Sequence, residues 1–147
     1  MTQILPLAEI RRGLAQASGL PAMLSASLDA FEAMLTLLRE QEDPPGPGFA
    51  AFALAAASAA NGRDAIAFAP SLPPAGPGQV GPAPKVPHTS LPAATVAADL
   101  GELALALADY LEDAAASAVD PDDHDACQDG ARHAAAVSAL LTGAAGP

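Results

Sequence analysis

The side chains of this chain that could do metal or nucleophile chemistry crowd into one stretch: Asp120, Asp122, Asp123, His124, Asp125, Cys127, Asp129 and His133. Carboxylate, imidazole and thiolate are the donor types that zinc takes, so spacing decides what they could do together. His124 and Cys127 stand three residues apart and share a helix face, with Asp120 or Asp123 one turn earlier as an oxygen donor, Asp120 being preferred. Asp120, His124 and Cys127 are the candidate metal ligands. His124 and His133 fall on opposite faces of one helix at about 100° per residue, so a single ion could not reach both. No Cys-x-x-Cys or His-Glu-x-x-His spacing supplies a fourth ligand. A di-metal carboxylate bundle needs a Glu three residues before its His, and Pro121 and Gly130 stand there instead. The competing reading gives Asp120, Asp122 and Asp123 to a helix N-terminus and leaves Cys127 as a small residue at the edge of a core. A Cys127–His133 catalytic pair would be separated by about 9 Å of rise and about 120° of turn.

A second group is Asn61, Arg63 and Asp64, which interrupt a segment made almost wholly of Ala and Phe. If a helix runs through them, Arg63 joins the stripe of Phe49, Phe52, Ala56 and Ala59 and needs a carboxylate, for which Glu32, Asp99 or Asp109 could serve. The three residues are thus a helix end with an exposed ion pair, an internal ion pair that fixes register, or a small-ligand site. No Gly-rich phosphate loop, Gly-x-Ser-x-Gly elbow or internal repeat is present.

The elements that must position these residues are helices. Of 147 residues, 39 are Ala, there is no Trp, and aromatic residues make up 3%. Ala is the best helix former and a poor strand residue, so a sandwich, a barrel and an aromatic-lined pocket are all disfavoured. The spacing predicts an antiparallel four- to five-helix bundle in a single domain over residues 1–147, with helices at about 5–17, 21–42, 49–69, 92–118 and 121–142. Leu7, Ile10, Leu14 and Ala17 mark the first, and Gly19 stops it. Leu24, Leu28, Phe31, Leu35 and Leu38 mark the second, and Met34 and Leu37 widen its stripe towards more than one neighbour.

The third helix carries a conflict, because Asn61-Gly62 reads as a helix stop or a hairpin turn, yet Arg63 and Ile66 prolong its stripe. A helix that continues to Ala69 is the preferred reading. From Pro70 to Pro92 the chain holds eight Pro and three Gly, which predicts a flexible crossover linker over 70–91 between two helical hairpins. Thr89 or Ser90 would cap the fourth helix, whose seam is Val96, Leu100, Leu103, Leu107 and Tyr110, with Asp99 lying away from it. Asp120, Pro121, Asp122 and Asp123 meet the requirements of a helix start, and Gly130, Ala134, Val137 and Leu141 carry the fifth stripe up to Gly143.

Charge narrows the function. The net charge is −11, divided as −3 over Met1–Asp43, +1 over Pro44–Leu91 and −9 over Pro92–Pro147. Direct nucleic-acid binding and attachment to an anionic membrane are both disfavoured, and any charged partner should be basic. The single Cys is compatible with a reducing interior, and the absence of a leader-like start points to the cytoplasm. The longest apolar run, Phe49–Ala57, is too short to cross a bilayer.

Small side chains bury little area each, so a bundle of this composition would gain from packing against a protein partner, including a second copy of itself. Met23, Leu24, Phe31, Met34 and Leu37 on the second helix are the expected interface, and the competing reading of the same stripe is an ordinary central core helix. The sequence therefore points to a non-enzymatic interaction, regulatory or adaptor module with no cofactor, which self-associates or binds a basic partner. Its alternative is a helical enzyme or ligand binder centred on Arg63 or on His124 and Cys127.

Overall fold

The computed structural model describes residues 5–42, 49–73 and 92–145. It is all-helical: α1 spans Leu5–Gln16, α2 Leu20–Gln41, α3 Phe49–Ala67, α4 Ala93–Ser117 and α5 Pro121–Ala145, with no strand among the described residues. α4 packs along α5, α5 on α3 and α3 on α2, while the short α1 lies across α2 and α4. Residues 74–91 of the expected linker lie outside the described residues, as do Thr89 and Ser90. The N-cap position of α4 is held by Pro92 with no side-chain cap.

Gly19 separates α1 from α2 at φ 87°, in the left-handed region that favours glycine. α2 then buries Leu24, Ser27, Ala30, Phe31, Met34, Leu35, Leu37 and Leu38. So wide a stripe matches its position against α1, α3 and α4 at once. The expected interface on this helix is corrected accordingly. Leu24, Phe31, Met34 and Leu37 are core side chains of the single chain, and Met23 is half-buried against them. Among the described residues α2 is also the one helix long and apolar enough to cross a membrane, with mean hydropathy 1.2 over its best window. A helix flanked on several sides by protein needs that same composition.

α3 runs straight through Asn61-Gly62, so the stop and hairpin-turn readings of this segment do not hold. The glycine is there for packing: a Cβ at Gly62 would lie 2.4 Å from Cε1 of Phe31, so only hydrogen lets α3 approach the Phe31 ring this closely. The helix ends two residues before the expected Ala69 and closes in a turn, with Ala69 N–H donating to Ile66 O and Leu72 N–H to Ala69 O.

One expectation for α4 is also corrected. Asp99 is buried, because it sits one turn from both Val96 and Leu103 and shares their face. The seam is also wider than expected: Tyr110 is half-buried against the core, and Leu111 beside it is fully buried. In α5, Gly130, Ala134, Val137 and Leu141 point inward as expected, joined by Asp123 and Cys127. Close approach recurs at Gly130, where a Cβ would meet Ile66 Cδ1 at 2.9 Å and Leu111 Cδ1 at 3.1 Å.

Candidate functional site

The start of α5 shows what each member of the acidic stretch does. Asp120 caps the helix, its carboxylate accepting from Asp122 N–H at 2.8 Å, and its carbonyl accepts from His124 N–H at 3.0 Å. Asp123 turns inward and is 1% exposed. Its carboxylate accepts from the Ser71 N–H at 2.9 Å and from the Ser71 hydroxyl at 2.5 Å, tying the turn after α3 to the first turn of α5. Two donors on one carboxylate satisfy a charge that burial would otherwise make costly.

His124 reaches back to the end of α4. Its Nδ1 lies 2.9 Å from the Ala115 carbonyl, and since a carbonyl only accepts, Nδ1 carries the proton and donates. Cys127 is fully buried, and its thiol is pushed up to about 11, first by burial and then by the Asp123 carboxylate. A buried thiol that keeps its proton is a poor nucleophile at neutral pH. Asp120, His124 and Cys127 thus engage three different partners or environments. Among the described residues no group of three or more His, Cys, Asp or Glu could hold a metal ion.

At the second group the geometry is that of a surface ion pair. Arg63 Nε lies 3.2 Å from the Asp64 carboxylate and 3.7 Å from that of Glu32 on α2, while Asn61 is exposed. Glu32, not Asp99 or Asp109, is the cross-helix partner. Asp29, one turn before Glu32, has its carboxyl raised above the ordinary range by partial burial and then by the Glu32 charge. The Arg63 guanidinium is therefore already engaged by two carboxylates, close to the Phe31–Gly62 contact, and the longer, partly exposed pair to Glu32 adds little to the packing of α3 on α2.

Among the described residues, the surface of α4 and α5 is the most one-sided in charge. Glu102, Asp109 and Asp113 lie along one ridge of α4, with Glu112 beside it, and all four are exposed. Asp120 precedes α5, on which Asp122, Asp125 and Asp129 follow one another, again exposed. The one arginine of this half, Arg132, is bonded to Asp129 at 2.5 Å. Between the two helices runs an open groove floored by Ala115 and Ala131 and edged by Glu112, His124, Gln128 and Arg132.

Sequence reasoning missed two residues that shape this arrangement, Gly62 and Ser71, and put Asp99 on the wrong face. The spacing of Asp99 from Val96 and Leu103 could have placed it inside. Nothing local marks Ser71, because its partner is 52 residues away. Compared with protein-family models, curated proteins and solved structures, the chain matches none.

Proposed function

We propose that this protein is a non-enzymatic helical interaction module that binds a basic protein partner through the acidic surface of α4 and α5. One observation carries the reading: eight carboxylates are exposed on this half of the chain, and only two of them face an arginine, Asp129 with Arg132 and Glu102 with Arg11 of α1. Complementary charge of this kind raises the rate of encounter and selects against acidic partners. The apolar face of α2 is engaged internally, which favours charge over apolar area as the mode of recognition. Two copies of a chain carrying −11 repel each other, which favours a different, basic protein over self-association. The site lacks an activated nucleophile, because the Cys127 thiol stays protonated, and this supports a binding role over catalysis. A lone free cysteine suits action in the reducing cytoplasm.

The same reading extends to topology. Phe31 against Gly62, Ile66 and Leu111 against Gly130, and Leu141 against Gly101 support an antiparallel α2–α3 hairpin and an antiparallel α4–α5 hairpin. The Ser71–Asp123 bond puts the end of α3 beside the start of α5. The end of α3 and the start of α4 would then lie at opposite ends of the bundle, as a crossover between two hairpins requires.

The test is affinity recovery of the purified protein from its native extract at low and high salt, with the mass of each complex measured. Basic proteins retained at low salt and released at high salt are expected. An unbound monomer under both conditions contradicts the proposal.

A further inference from the structure

The two most exposed large apolar side chains among the described residues are Phe68 at 86% and Val119 at 96%. They belong to different helix ends but to one end of the molecule. Ser71, just past Phe68, is bonded to Asp123, just past Val119. Val119 also walls a shallow groove with Leu20, Ser117 and Pro121, whose base is the same Ser71–Asp123 pair. Two aspartates in this neighbourhood, Asp120 and Asp122 following Val119, are exposed without a cationic partner, whereas Asp64, one turn before Phe68, is paired with Arg63. Arg63 is taken up by Asp64 and Glu32.

Phe and Val side chains left in water retain an unused hydrophobic driving force. Apolar anchors with a charged surround are the usual anatomy of a protein interface. The aspartates choose among the possible occupants. An anionic membrane or a nucleic acid is repelled by them, and a second copy of the chain brings the same carboxylates to the contact. A basic segment with an apolar side chain satisfies both parts of the surface.

We propose that this end of the molecule, around Phe68, Val119 and the Leu20–Pro121 groove, docks a protein segment in which an apolar side chain is flanked by lysine or arginine. The inference rests on the basic-partner reading and adds to it an apolar anchor with a defined position. It is tested with a synthetic amphipathic peptide carrying leucines on one face and lysines on the other. A control peptide of the same charge has serine in place of each leucine, and binding of both is followed by fluorescence anisotropy at low salt.

The wild-type chain is expected to bind the leucine peptide roughly tenfold more tightly than the serine peptide. The double variant Phe68→Ser, Val119→Ser is expected to bind the two equally, with an unchanged circular-dichroism melt because both positions are exposed. Equal, salt-sensitive binding of both peptides by the wild type overturns the anchor and leaves the charge reading standing. No binding of either peptide overturns both.

Discussion

At Gly62 a single missing methyl group sets the distance between α2 and α3. Gly62→Ala gains about 1 kcal/mol of helix propensity, but its Cβ would fall 2.4 Å from the Phe31 ring, which is fully buried and must move as a whole. The net effect expected is a loss of about 1–2 kcal/mol, visible as a lower midpoint in urea unfolding. Asp123 makes a second test at this scale: Asp123→Ala leaves Ser71 N–H without its acceptor and should cost about 1–3 kcal/mol by the same measurement.

Cys127 ties stability to pH. Its folded thiol, raised to about 11 from an ordinary 9, keeps its proton where the unfolded thiol has lost one. The thiol's contribution is therefore complete below pH 9 and is lost as pH rises through 11, and a Cys127→Ala variant should show a shallower fall across that window. In native buffer the wild-type thiol should react with a thiol reagent only after denaturation. At this scale the sequence was partly legible. The cap at Asp120 follows from residue type and the face of Asp99 from spacing, whereas the partner of Asp123 depends on a contact between residues 52 apart.

Among the elements, α1 stands apart. It has 12 residues, packs through Leu7, Ile10 and Leu14, and makes one ion pair to α4, Arg11 to Glu102 at 3.8 Å, between partly exposed side chains. A helix this short holds little structure without tertiary support, and an exposed pair of that length contributes little. Hydrogen exchange should therefore release the amides of α1 well before those of α4 and α5, which pack along each other over most of their length.

The helices were legible because their stripes repeat at the helical period, and α3 was legible through Arg63 and Ile66 despite Asn61-Gly62. What periodicity could not supply was which stripe faces which. Met34 and Leu37 fit an outer docking face as well as the commoner core role, and only the positions of α1, α3 and α4 around α2 decide between the two.

For the whole molecule, the governing quantity is the charge of −11. Much of it sits on α4 and α5, where like charges repel one another and screening by salt relieves them, so moderate salt should raise the unfolding midpoint while weakening any complex with a basic protein. That opposite response separates an effect on the fold from an effect on binding.

The most direct measurement is the salt dependence of affinity for the recovered partner, taken for the wild type and for the quadruple variant Glu112→Lys, Asp113→Lys, Asp125→Lys, Asp129→Lys. All four residues are exposed, so the helices should remain intact. The account predicts wild-type binding that falls steeply with salt and a variant that binds at least about 100-fold more weakly at low salt. An affinity that ignores both salt and the four reversals would contradict it.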